Sequence, residues 1–401
     1  MIRANLIIMN YKERAGLAIE SRKSDIVNLS ETIHENPELG HQEYKASKLL
    51  VKELADLGYV VEEVVAGMET AFVARKGEGE PVIGILAEYD ALPAIGHACG
   101  HNLIAAAAYG AAVGLANIID GIEGSVVVYG TPAEEGVVEN AGGKVLMLDL
   151  IKEADAALMI HPGPGWGSYG STNARESFLV EFFGKSSHAG AAPEKAINAL
   201  EGVLLTFQGI NALRQHISGD VRIHGIIKNG GDSPNTIPDY SSAHLYVRAP
   251  SMPLLEETYQ KVKNIVKGAE LATGAESKVS KVANTYANKI PNKVLSDLFR
   301  ENISLEGVFY PEEVKVSKSG ASTDFGNVSQ EVPSLSAYVN IGDVTLHSPE
   351  GAKMTGTQEA YDAMIKGAKA LAYTAIDLMT NEEILEKAKR EQKERLERQG
   401  S

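Results

Sequence analysis

The chain has a single cysteine, Cys99, in 401 residues. One thiol cannot close an internal disulfide, so the fold is expected to do without covalent staples and to suit a reducing cytoplasm. Positive charge is also scarce: 38 Lys+Arg against 53 Asp+Glu gives a formal net charge of −15. That balance excludes the broad basic surface that nucleic acids and anionic membranes need, so neither is an expected partner. An acidic ligand would require a local cationic clamp. Long apolar runs are missing too. The opening MIRANLIIMNYKERAG is too short in apolar residues for a signal segment, and no stretch is long enough to span a bilayer. Internal repeats and low-complexity tracts are also absent.

What is present is ordinary for a globular enzyme, with 44% apolar and 23% charged residues. A chain of this length can bury a large core and more often forms two domains than one. Residues 24–57 read as helix, with Ser24 as N-cap, a break at Asn36-Pro37 and Gly58 as the stop. VIGILA (82–87), SVVVYG (125–130) and AALMI (156–160) are nearly continuous apolar runs, as in parallel strands buried on both faces. The small-residue helix NLIAAAAYGAAVGLANII lies between the first two, and the alternation predicts a doubly wound α/β sheet. The middle third reads as strand 177–186, helix 193–216, strands 221–228 and 243–249, helix 252–272 and strand 277–287. That β-α-β-β-α-β order predicts an inserted ferredoxin-like α+β domain at 173–286, with 1–172 and 287–401 forming the α/β domain. Behind it come a strand at 334–341, a helix from Thr357 and a charged tail expected to be a solvated, fraying helix.

Metal-type side chains recur just after the predicted strands. Cys99 and His101 follow the first strand in GHACGHN, and Glu134 and Glu135 follow the second in GTPAEEG. His161 ends the third in MIHPGP, and His347 follows the strand at 334–341 in LHSPEG. Open α/β sheets bind ligands beyond the carboxyl ends of their strands, where strand order reverses. Cys99, His101, Glu135, His161 and His347 make five ligands, so one bridging residue gives three protein bonds to each of two ions. Three protein ligands with an open position is the catalytic metal pattern. Cys99 is expected as a thiolate ligand, favoured by the helix N-terminus and the cations. Glu134 is left over as the proton-transferring carboxylate. Asp90 either orients a histidine ligand or caps loop amides.

At these residues the chain resembles the co-catalytic metallopeptidases of clan MH, the aminoacylase and glutamate-carboxypeptidase type. The match is to their amidohydrolase branch, with its His-x-Cys-Gly-His signature at 97–101. The resemblance runs from HENPEL (34–39) through EYDALP, GHACGHN, PAEEG, HPGP, SSHAG and NTIPD to GASTDFGN and HSPEG, nearly the whole chain. It implies Cys99 as the bridging ligand, Glu134 as proton shuttle and His188 as the group that polarises the scissile carbonyl. Asn235 matches a substrate-contacting position. Arg248 either clamps a substrate carboxylate or forms a surface salt bridge. Asn102 stands where hydrolases of indoleacetyl- and benzoyl-amino acids typically have Asp. With STDFGN later, this looks more like the aminobenzoyl-glutamate hydrolase and β-alanyl-lysine dipeptidase group.

The sequence therefore predicts an amidohydrolase that uses two divalent ions, zinc or manganese, on an N-acyl amino acid or small dipeptide. The inserted domain would serve as lid and dimerisation platform in a homodimer or higher homo-oligomer. Two rival readings remain: an amidase with Cys99 as nucleophile, and a non-catalytic binding protein on the same fold.

Overall fold

The computed structural model describes residues 2–399. The chain divides into two compact units: Met1–Ser171 with Lys289–Ser319 and Thr323–Ser401, and Thr172–Asn288 with Gly320–Ser322.

The strands of the first unit are β1 (Val60–Glu63), β2 (Phe72–Glu78), β3 (Val82–Ala87), β4 (Gly124–Gly130) and β5 (Ala156–Gly163). A short pair, β6 (Gly170–Ser171) with the later β11 (Ser317–Lys318), and finally β12 (Ser334–Asn340) complete the set. The main sheet runs β1-β2-β4-β3-β5-β12, with β3, β4, β5 and β12 parallel and the β1–β2 edge antiparallel. Every residue of β3 and β4 is buried, which is why those segments read as unbroken apolar runs. From β3 the chain goes to β4 on one side and β5 on the other, so strand order reverses there. The loops leaving β3, β4, β5 and β12 consequently share one edge.

The helix His101–Ala116 starts at that edge, and its residues are buried through Leu115. Small residues make this possible: a Cβ on Gly114 would lie 2.8 Å from Ile19 Cδ1. The helix Gln358–Thr380 packs beside it, and Thr357 caps it by accepting from the Ala360 N–H, as its sequence suggested.

Two local expectations fail. Ser24 is not an N-cap, because a helix Ile2–Ser21 ends just before Lys23–Glu35 and Arg22 occupies the cap position without a side-chain bond. The tail helix Glu382–Gln399 is not a frayed surface element: Leu385, Ala388 and Gln392 are buried, and Lys389 pairs with Asp155 at 2.7 Å.

The second unit holds β7 (Ala174–Phe183), β8 (Arg222–Asn229), β9 (Tyr240–Ala249) and β10 (Glu276–Lys281), all antiparallel, in the order β10-β7-β9-β8. With helices Ala199–Leu213 and Met252–Thr273, this is the ferredoxin-like order. Phe178, Val180, Phe182, Leu245 and Val247 form its core with Val203, Ile210, Val262 and Val266 from the helices. By the two-residue period of a strand, Arg175 and Ser177 on β7 and Arg248, Tyr246 and His244 on β9 belong to the opposite face.

Candidate metal centre

Cys99 sits at a tight turn. Gly100 has φ +80°, and a Cβ there would lie 2.4 Å from Pro162 Cγ, so the Cys-Gly-His spacing needs glycine at its centre. The turn brings the Cys99 sulfur 3.6 Å from His161 Nε2 and 3.2 Å from His347 Nε2. His347 is held at φ +61°, a costly conformation for histidine, and its N–H donates to Ala98 O at 3.0 Å. Glu135 Oε1 lies 3.5 Å from His347 Nε2 and 3.9 Å from His101 Nε2.

Three groups of ligand-type atoms, each within 4.8 Å of one another, result here: Cys99–His101–His161, Cys99–Glu135–His347 and His101–Glu134–Glu135. The first two share only Cys99. All five residues singled out by sequence are therefore together, in the three-plus-three arrangement that a single bridging residue allows. The donor set fits a pair of cations. His161 Nδ1 lies 2.8 Å from its own Pro162 O, leaving Nε2 as the ring's lone-pair atom. His101 Nε2 and Glu135 Oε1 are buried with no hydrogen-bond partner among the described residues. Burial pushes His161 down to about 4, so that ring is neutral, as a ligand must be.

The protein alone does not make Cys99 a thiolate. Burial, and then the Glu135 charge, push the thiol well above its ordinary value, outweighing His101. Bound cations would act the other way and favour the thiolate.

Asp90 does both jobs considered for it: Oδ1 is 2.9 Å from His101 Nδ1, and Oδ2 accepts from the Glu135 N–H at 3.0 Å. Glu43 steadies the same loop by accepting from the Ala133 N–H at 2.8 Å, where Ala133 has φ +57°. Burial, followed by the Asp90 charge, pushes Glu43 up to about 8.

Sequence reasoning missed the layer beneath Glu134. Glu88, Glu134 and Asp324 converge within 4.8 Å. The fully buried Lys144 ammonium lies among these carboxylates, 2.5 Å from Glu88 Oε1 and 2.6 Å from Asp324 Oδ1. Burial would strip that proton, but Asp324, Glu88 and Glu134 outweigh it and drive the Lys144 pKa up. Burial, then Glu88, Asp324 and Glu135, push Glu134 well above the usual carboxylate range. A signal was available: Glu88 lies two residues before Asp90, and Asp324 sits inside the STDFGN motif.

His188, Asn235 and Arg248 belong to the second unit. The His188 and Asn235 loops are joined by a bond from the Ala189 N–H to Asn235 O at 2.9 Å. His188 Nδ1 accepts from the N–H groups of Gly190 and Ala191, each at 3.2 Å, which leaves the ring proton on the exposed Nε2. Arg248 donates to Ser322 Oγ at 2.8 Å and contacts His224 Nε2 at 3.4 Å. Among the described residues it has no carboxylate partner, so the salt-bridge alternative is not realised.

Residues 84–377 match the family described as Peptidase family M20/M25/M40. The chain is 37% identical over 399 residues to an Xaa-Arg dipeptidase of Mus musculus, covering 95% of this chain and 91% of that protein. It is 27% identical over 454 residues to a p-aminobenzoyl-glutamate hydrolase chain of Escherichia coli, covering 93% of each. Among solved structures, a Bacillus subtilis protein described as a dinuclear metal binding peptidase superposes with TM-score 0.66 at 19% identity, covering 90% of this chain and 99% of that one.

Proposed function

The chain belongs to Peptidase family M20/M25/M40 and is a metal-dependent amidohydrolase, and on that premise we propose how its residues share the reaction. Cys99, His101, Glu135, His161 and His347 would hold two divalent cations, zinc or manganese. The observation that supports this is the convergence of these five residues into overlapping three-residue groups, two of which meet at Cys99. When bound, the cations supply Lewis acidity to the scissile carbonyl and to the attacking water.

Glu134 accepts the proton of that water and returns it to the departing nitrogen. Its buried setting beside Glu88 and Asp324 raises its hold on a proton, which suits the second half of that task. His188 donates from Nε2 to the developing oxyanion. Asn235 and Arg248 bind the substrate, Arg248 through its carboxylate. Substrates are small dipeptides and N-acyl amino acids. The two curated relatives are named for Xaa-Arg dipeptides and p-aminobenzoyl-glutamate, whose amino acids differ in side-chain charge. The part common to them is an amide to an amino acid.

The second unit acts as lid and dimerisation platform, hinged near residues 173 and 286 in a homodimer or higher oligomer. Among the described residues no helix is long and apolar enough to cross a membrane, and the lone thiol suits the cytoplasm.

The test is amine release from a panel of dipeptides and N-acyl amino acids, using chelated enzyme and enzyme reloaded separately with zinc or manganese. Activity lost on chelation and restored by one ion supports the assignment. Activity untouched by chelation makes Cys99 a nucleophile, and metal binding with no turnover on the panel favours a binding role.

A further inference from the structure

The face of the second unit's sheet that turns away from its helices carries an unusual row. Arg175 on β7 stands directly opposite Arg248 on β9, and Arg248 stands opposite Arg222 on β8. Arg175 uses its backbone N–H and C=O to pair with Tyr286 on its other side, at 2.8 and 3.0 Å. The Arg175–Arg248 pair is therefore of the narrow, non-hydrogen-bonded kind, in which opposite side chains approach most closely. Like charges facing each other this way destabilise a sheet unless something of opposite sign joins them.

Among the described residues, no group of that sign lies within ion-pair distance of either arginine. Arg175 is only 5% exposed, and its Nε and Nη2 are buried with no hydrogen-bond partner among the described residues. Its guanidinium stacks 3.9 Å from the Tyr286 ring centre and 5.3 Å from that of Tyr246. Arg248 shares the Tyr246 ring, at 5.6 Å. Neither arginine has a carboxylate within ion-pair distance among the described residues, although the chain carries 53 Asp+Glu. Glu176, next along β7, is directed elsewhere and pairs with Lys281 at 2.8 Å. Burial, then the neighbouring Arg175 charge, lower the pKa of Arg248. Two fixed forks of donors, aromatic walls and no carboxylate partner among the described residues together describe a receptor for a planar oxyanion.

We propose that Arg175 and Arg248 together form a two-guanidinium receptor for a carboxylate, and that Arg175 is the residue making a free carboxylate on the substrate a requirement. The identity of that carboxylate, the one on the amino acid to be released, rests on the substrate reading proposed above. The existence of the receptor does not. Arg175 here determines specificity and has no part in the bond-breaking step.

The experiment compares the metal-loaded wild type with Arg175→Met and Arg175→Lys, using alanylarginine and its C-terminal amide. For Arg175→Met, KM for alanylarginine should rise about 10-fold or more, while KM for the amide stays within about twofold of wild type. Arg175→Lys, which keeps the charge but loses the fork, should fall between. Melting of the ligand-free holoenzyme separates this role from packing. Methionine removes a like-charge contact and two unpartnered donors, so Arg175→Met should melt no lower than wild type. Equal losses on the acid and the amide, or a lower melting temperature with an unchanged KM, would assign Arg175 to packing against Tyr286 and overturn the proposal. If the wild type hydrolyses neither compound, free arginine and argininamide serve as probes of melting temperature. A shift by arginine alone, lost in Arg175→Met, supports the receptor and faults only the substrate reading. The absence of any carboxylate-dependent shift in the wild type overturns the receptor itself.

Discussion

The two units solve opposite electrostatic problems in the same way. At the metal-type site of the first, Glu135 Oε1 has no hydrogen-bond partner among the described residues, and carboxylates crowd around it. On the outer sheet face of the second, Arg175 Nε and Nη2 have none among the described residues, and arginines face one another. Burying an unpaired polar atom is expensive, so unpaired atoms of one sign gathered at one place leave the imprint of a missing ligand's charge. On the proposals made above, one unit would hold cations and the other an anion. The first unit also holds a second cluster of buried carboxylates, and this one carries its own cation. One layer below the metal-type ligands, Lys144 supplies a permanent cation to Glu88 and Asp324.

That contrast can be broken at three points of decreasing force. Glu134→Gln leaves the five ligands in place and removes only the proton carrier. We expect kcat to fall roughly 10²- to 10⁴-fold, with the metal content measured by elemental analysis unchanged. Full turnover by this variant would refute the shuttle. Next, Lys144→Met leaves two buried carboxylates without their cation. Chemical denaturation should show a loss of about 3–5 kcal/mol, much of it recovered when Glu88→Gln and Asp324→Asn are added. A Lys144→Met protein as stable as wild type would mean that the carboxylates can neutralise themselves at little cost.

The smallest effect concerns Glu43. Its folded-state pKa of about 8 lies above the reference value of 4.5, so between those pH values the native state holds a proton that the unfolded chain has released. This group's contribution to stability therefore falls as pH rises from about 4.5 to about 8. Glu43→Gln removes that slope, and the melting difference between variant and wild type should move in the variant's favour across the window, by about 2 °C or more. A difference that is flat with pH would show Glu43 to be ionised in the native state throughout.

Much of this was legible in the sequence. β3 matches the VIGILA run at both ends because a strand buried on both faces contains only apolar residues and stops where they stop. The helix placed from Thr357 begins there, and the structure shows the Thr357 hydroxyl capping it by accepting from the Ala360 N–H. The five ligand-type residues were readable because each lies near or beyond the end of a strand that could itself be read. The buried charges were not. Lys144 and Glu88 look like surface residues in isolation, and only the fold reveals that they satisfy one another. Arg175 was hidden for a different reason. In ARESFLVEFF the two-residue period marks Phe178, Val180 and Phe182 as core, but it says nothing of what faces Arg175 from another strand. The tail misled because its charges outnumber its apolar positions. Leu385, Ala388 and Gln392 still fall on one side of a helix, enough to dock it.

The helix that begins at His101 has one more consequence. Enclosed along nearly its whole length, it offers its amide protons no route to water short of opening the unit around it. Its 16 residues span about 24 Å. An ion seated at its first turn therefore restrains, by mass action, exchange at amides far beyond its own reach. Occupancy of the centre is written along the length of the helix, and a slow isotope clock at its distant end would register an event at Cys99.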